Sequence, residues 1–146
     1  MKRNYSYVSV ALKPEYVKDV FAHLLEAGIA PASKHDLHCT VIYDERTHEK
    51  PLCKLDPNRE FTANITKLEV LGDGVVFHMT SRDINEEFRR LTDAGYQHSF
   101  DTPLPHMSLA YDCDQYDKLA IEAAFSNWAG RQLVFHRADF GYGTGD

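Results

Sequence analysis

The sequence predicts an α+β fold: two lobes of antiparallel or mixed β-sheet, related by a pseudo-twofold axis, with flanking helices around a central cleft. Three observations lead there. The order strand, helix, motif strand occurs twice along the 146 residues. The run His38-Cys39-Thr40-Val41-Ile42-Tyr43-Asp44 returns as His106-Met107-Ser108-Leu109-Ala110-Tyr111-Asp112. Upstream, Leu24-Leu25-Glu26-Ala27-Gly28 is echoed by Leu91-Thr92-Asp93-Ala94-Gly95; the glycines lie 67 residues apart and the histidines 68. Nearly equal offsets imply duplicated halves with a one-residue insertion. Two copies argue for a pair of lobes, because a solenoid needs three or more units to bury its core.

Each element follows from local pattern. Tyr5 to Leu12 is β-branched and alternating, which predicts a strand. The helix after it has Pro14 in its first turn and Gly28 at its end, with Val17, Val20, Phe21, Leu24 and Leu25 as its apolar stripe. A loop around Pro31-Ala32-Ser33 leads into the first motif, a strand from about Leu37 to Tyr43. The polar run Asp44 to Asn58 reads as a flap or surface loop. Phe61 to Val70 and Val75 to Thr80 alternate as strands around the turn Gly72-Asp73-Gly74. A second helix starts near Asp83, with Asp83 and Glu86 as a capping box and Gly95 as its end. After Thr102-Pro103-Leu104-Pro105 comes the second motif strand. A helix from about Gln115 to Trp128 and a strand from Leu133 to Phe140 precede a glycine-rich end.

The composition bounds the function. With 43% hydrophobic and 26% charged residues, residues 1–146 fit one two-lobed domain with a real core. The net charge of -6 repels a long phosphate backbone, so nucleic-acid chemistry here calls for a small substrate or a local cationic pocket. No apolar run is long enough for a membrane span, and no signal peptide is evident. Cys39, Cys53 and Cys113 form an odd set without C-x-x-C spacing, which points to free thiols and a reducing cytoplasm.

The chemistry lies in the two motifs. On a strand, alternation sends His38 and Thr40 to one side with Ile42, and Cys39, Val41 and Tyr43 to the other. If the two motif strands converge, His38, Thr40, His106 and Ser108 surround one spot with two groups that titrate near neutrality and two hydroxyls. A phosphodiester suits that set. One imidazole removes a proton from a 2'-hydroxyl and the other protonates the leaving 5'-oxygen, each step worth about 10²- to 10⁴-fold, with no metal or organic cofactor. The hydroxyls hold the non-bridging oxygens as charge grows.

These residues identify a resemblance that covers essentially the whole chain: it resembles the 2H phosphoesterase superfamily, named for its two His-x-Thr/Ser motifs. The resemblance implies metal-independent phosphodiester cleavage, with His38 and His106 as the acid and base pair and Thr40 and Ser108 as phosphate-binding hydroxyls. Within the superfamily the Tyr-Asp after each motif, the small size and the acidic balance look most like phage anti-CBASS nucleases, which degrade cyclic di- and trinucleotide signals in the host cytoplasm. The same motifs occur in RNA 2',3'-cyclic phosphodiesterases and in enzymes that degrade 2'-5' oligoadenylate.

Other residues carry weaker expectations. Tyr5, Tyr7 and Ser9 share the face of the first strand opposite Val8, Val10 and Leu12, so Tyr7 or Tyr5 either stacks on a nucleobase or is an exposed strand tyrosine. Tyr43 and Tyr111 are expected opposite the histidines, packed in the core. Asp44 and Asp112 end their strands and either orient a lobe-crossing contact or are ordinary turn residues, and neither is assigned to the site. Arg137 and Asp139 share one face of the last strand and are expected to meet substrate from the rim, while Lys34, Lys50, Arg82 and Arg131 are scattered cations. His35 stands three residues before His38 without a third ligand, so no metal site is expected. His23, His48, His78, His98 and His136 are assigned ordinary roles, and alternation turns Cys39 away from His38, against a Cys-His nucleophile.

Three function classes follow. The first is a phosphodiesterase acting on small cyclic oligonucleotides, without long nucleic acid or membrane as partner. The second is an enzyme acting on linear RNA ends or 2'-5' oligoadenylate. The third is a module that sequesters nucleotides without cleaving them.

Overall fold

The computed structural model describes residues 3–29, 37–46, 48–72, 74–99 and 105–145. The expectations for the loop at Pro31-Ala32-Ser33, for Lys34, His35 and Asp73, and for Thr102 to Leu104 lie outside those residues. The elements run β1 (Arg3–Leu12), α1 (Pro14–Glu26), β2 (His38–Asp44), β3 (Phe61–Leu71), β4 (Gly74–Thr80), α2 (Arg82–Asp93), β5 (His106–Ala110), α3 (Gln115–Ala124) and β6 (Gln132–Gly145).

The six strands of the described residues form one antiparallel sheet in the order β2-β1-β6-β3-β4-β5. The halves are not separate sheets, because β6 pairs with β1 along one edge and with β3 along the other. The motif strands β2 and β5 stand at the two ends of that order, yet they contact each other, so the sheet curls until its ends meet.

One face of the sheet is apolar. Val8, Val10 and Leu12 of β1, Phe61, Ala63 and Ile65 of β3, Phe77 and Met79 of β4, and Leu133 and Phe135 of β6 are buried in one core. Burying each large apolar side chain contributes about 1.5 to 3 kcal/mol. Trp128 fills the space beside β4, with its ring 5.7 Å from that of Phe77 and 4.9 Å from that of Phe125. Helices α1 and α3 contact each other, and α2 packs against β3 and β2.

Several boundaries differ from the sequence reading, each for a local reason. Pro14 opens α1 as expected and Val20 and Leu24 are buried, but Leu25 lies off the stripe at 58% exposure. The cap of α2 is Ser81, whose hydroxyl accepts from Ile84 N at 3.0 Å and donates to Thr62 O at 2.7 Å. Asp83 forms no capping box there; its carboxylate accepts from Thr62 N at 2.8 Å and ties the helix to β3. The capping box occurs at α3, between Asp114 and Asp117. That helix stops at Ala124, and Phe125 and Trp128 turn inward. The glycine-rich end is strand, part of a β6 that reaches Gly145 and pairs with Arg3.

The largest difference concerns the phase of the motif strands. Along β1, Val8 pairs with Ile42 and Ser9 with Thr40, so Val41 is the extra residue of a β-bulge. In β4, Val75 pairs with Ala110 and Val76 with Ser108, which makes Leu109 the extra residue of a second bulge. Both motifs therefore break register at the residue after the hydroxyl. A bulge shifts the alternation by one, so Ile42 is buried in the core rather than beside His38 and Thr40, and Val41 is buried too. Tyr43 correspondingly moves to the face of Tyr7, its partner across the strands, instead of the core. Tyr111 is likewise not a core residue; it is 47% exposed.

Candidate active site

His38 and Thr40 are half-buried on β2, opposite Ala11 and Ser9 of β1 on the non-core face. On β5 His106 is exposed and Ser108 half-buried, paired with His78 and Val76 of β4. The two motifs meet at the seam where the sheet closes. The backbone N–H of His106 reaches the sulfur of Cys39, the residue between His38 and Thr40. Burial pushes the Cys39 thiol up to about 12, against the opposing pull of that N–H, which leaves the sulfur an inert seam filler.

A cavity of about 1080 Å³ opens beside the first motif, and its lining includes Tyr7, Ser9, His38, Tyr111, Arg137 and Asp139. Four of the eight sequence-expected site residues thus share one cavity: Tyr7, His38, Arg137 and Asp139. Thr40, His106, Ser108 and Tyr5 are not among its described lining residues. His106 connects to the first motif through the seam, and Tyr5 through its neighbours, stacking on Tyr7 at 6.2 Å and on Tyr43 at 5.5 Å between ring centroids.

Tyr7 and Tyr5 rest on a glycine floor. Tyr7 pairs with Gly141 and Tyr5 with Gly143, and a Cβ on Gly143 would fall 2.7 Å from the Tyr5 hydroxyl oxygen. The rings lie where those glycines have no side chains. The rim residues have their own device: Ser9 pairs with Asp139 but Ala11 with His136, so Arg137 and Ala138 together face Val10. Ala138 turns inward while Arg137 and Asp139 stay exposed. Arg137 adopts φ 54, a left-handed conformation that costs a non-glycine residue about 1 to 2 kcal/mol. Asp112, directly after Tyr111, does the same at φ 55.

The loop after α2 clamps the end of β2. Tyr43 N donates to His98 Nδ1 at 3.1 Å, Ser99 N to Tyr43 O at 2.8 Å, and Glu45 N to Ser99 Oγ at 2.8 Å. Burial lowers the pKa of His98, with Asp44 opposing, so its neutral ring suits the acceptor role. Asp44 is 1% exposed and joins three stretches of chain. It accepts from Arg46 Nη2 at 2.9 Å and from Gln97 N at 2.9 Å, and His48 Nε2 lies 3.2 Å away. Burial raises its carboxyl, but the bonds from Arg46 and Gln97 outweigh that and bring it down to about 2.

Two of the remaining cations have structural partners. Arg131 pairs with Asp19 and covers the Trp128 ring, Arg82 pairs with Glu86, and Lys50 is exposed. His23 sits against Phe125 and Trp128. Among the described residues no group of three or more His, Cys, Asp or Glu could hold a metal ion, and no helix is long and apolar enough to cross a membrane.

Sequence reasoning missed Ser9, Asn58 and Tyr111 as cavity residues, and Tyr43 as a neighbour of Tyr5. The signal for the tyrosines was present: Val41-Ile42 and Leu109-Ala110 are adjacent apolar pairs, which uninterrupted alternation does not allow on a strand with one polar face. Residues 4–129 match the model of a family described as Anti-CBASS protein Acb1. No curated protein matches the chain.

Proposed function

The chain belongs to the Anti-CBASS protein Acb1 family, whose role is phage evasion of CBASS signalling, and we propose that it acts as a metal-independent phosphodiesterase on cyclic di- and trinucleotide defence signals. In this reading it is an enzyme of the 2H type, its two halves are lobes related by a pseudo-twofold axis, and the identically placed bulges at Val41 and Leu109 support the duplication. The observation that carries the proposal is the contact between motif strands: His106 N–H lies against the sulfur of Cys39, next to His38.

His38 and His106 form the acid and base pair. One imidazole takes the proton of a 2'-hydroxyl as its oxygen bonds to phosphorus; the other gives a proton to the 5'-oxygen as the P–O5' bond breaks. The product end is a 2',3'-cyclic phosphate. Thr40 and Ser108 donate hydrogen bonds to the non-bridging oxygens. Tyr7, backed by Tyr5, stacks on a base of the ligand, while Arg137 and Asp139 contact it from the rim of the cavity. A closed ring of two or three nucleotides suits this acidic chain better than a polymer does, given the net charge of -6.

The test incubates the protein in EDTA with 3',3'-linked cyclic dinucleotides, cyclic trinucleotides, 2'-5' oligoadenylate and RNA ending in a 2',3'-cyclic phosphate. Cleavage of the cyclic ligands is expected, and His38→Ala and His106→Ala each abolish it. Preference for either linear substrate would move the chain to the second class, and tight binding without products would make it a nucleotide sponge.

A further inference from the structure

His78 is a titratable side chain outside the proposed mechanism, and β4 sets it directly beside His106. The two are cross-strand partners in the β4–β5 ladder. Partners of that kind share a face and hold their Cβ atoms about 4.5 to 5.5 Å apart. On its other side His78 pairs with Lys67 of β3, so the row Lys67, His78, His106 crosses three strands of the non-core face. Glu69, two residues along β3, closes the group: its Oε2 is 3.3 Å from His78 Nε2 and 2.9 Å from Lys67 Nζ.

The His78 side chain is only 22% exposed, and its Nε2 is shielded from solvent without a well-directed hydrogen bond. Glu69 is the acceptor within reach for a proton there. Lys67 chiefly, and His78 with it, holds the Glu69 carboxyl below its ordinary value. A carboxylate that faces one ring nitrogen favours the tautomer with the proton on that nitrogen and fixes the ring.

His106 is exposed, on a strand at the end of the sheet order. An acid or base that works at a fixed phosphorus atom needs a fixed ring, and small misplacement is costly. We propose that His78, tethered by Glu69, is a positioning residue for His106. The inference rests on the reading of His106 as acid or base. His78 is the cross-strand neighbour of His106 on the β4 side, and among the described residues the titratable groups set around it are Lys67 and Glu69 from β3 and His106 from β5. The Cys39 thiol lies beyond, against the His106 backbone.

The test compares His78→Ala and Glu69→Gln with the unaltered chain and with His106→Ala. It uses whichever cyclic ligand of the panel above turns over fastest, and an NMR titration of the His106 ring, assigned by its loss in His106→Ala. In both variants kcat should fall, by about 10- to 100-fold for His78→Ala, with KM little changed. The His106 titration midpoint should move in both. Wild-type kcat and an unmoved midpoint, with His106→Ala inactive, would overturn this inference alone. A fall in kcat with an unmoved midpoint would overturn it too, by showing general loosening. Full activity in His106→Ala would instead sink the mechanism itself. Should His78→Ala fail to fold, Glu69→Gln at the surface decides by the same two readings.

Discussion

Gly141 lies opposite Tyr7 in the β6–β1 ladder, and the phenol ring occupies the space a Cβ on that glycine would take. The nearest atoms are the far end of the ring, so a methyl group there displaces the tyrosine rather than the backbone. Gly141→Ala should leave folding stability little changed, since alanine in a strand regains about 0.5 to 1 kcal/mol over glycine and offsets the lost ring contact. Ligand affinity should fall as far as in Tyr7→Ala, by about 1 to 3 kcal/mol. Calorimetry with a non-cleavable cyclic dinucleotide measures both, and wild-type affinity in either variant removes Tyr7 from the binding site.

Tyr111 separates a packing role from a binding role. Because Tyr111 is 47% exposed, on the wall of the cavity that His38 also lines, its loss opens no core cavity. Tyr111→Ala is expected to change stability by about 0.5 kcal/mol or less while weakening binding of the same ligand. A drop of about 3 kcal/mol or more in urea unfolding would restore the core assignment made from alternation alone.

The two tyrosines show what was legible and what was not. The duplicated strand-helix-strand order and most strand positions follow from residue type and spacing, because the patterns that mark them are local. The bulges at Val41 and Leu109 are set by pairing with β1 and β4, and only the doubled apolar residues hint at them. The cap of α2 went to Ser81 because its hydroxyl also reaches Thr62 on β3, a contact remote in sequence. The closure that brings Cys39 against His106 depends on β6 bridging both halves, and no single segment encodes it.

Asp44 sets the acid limit of the fold. Its carboxyl sits at about 2, below its ordinary 3.8, so its contribution is complete above pH 4 and is lost as pH falls from about 4 towards 2. The shift corresponds to about 2 kcal/mol. Asp44→Asn should destabilise the protein at pH 7, leaving Arg46 and the Gln97 N–H with a weaker partner. The gap between the two proteins in urea unfolding should narrow below pH 4. A gap that stays constant down to pH 2.5 would show that Asp44 gains nothing from its partners.

The chemistry makes its own prediction through the substrate. If the attacking group is the 2'-hydroxyl, a cyclic dinucleotide with 2'-deoxy sugars keeps its bases, ring and phosphates, so Tyr7, Arg137 and the Thr40 and Ser108 hydroxyls can still engage it. It has no nucleophile, and the imidazole that acts as base has no proton to take. It should therefore inhibit cleavage of the ribose ligand competitively while remaining intact over many wild-type turnover times. Chromatography of the incubated mixture decides the point: linear products from the deoxy ligand at a comparable rate would mean that water attacks phosphorus. The His38 and His106 pair would then activate that water instead of the sugar hydroxyl.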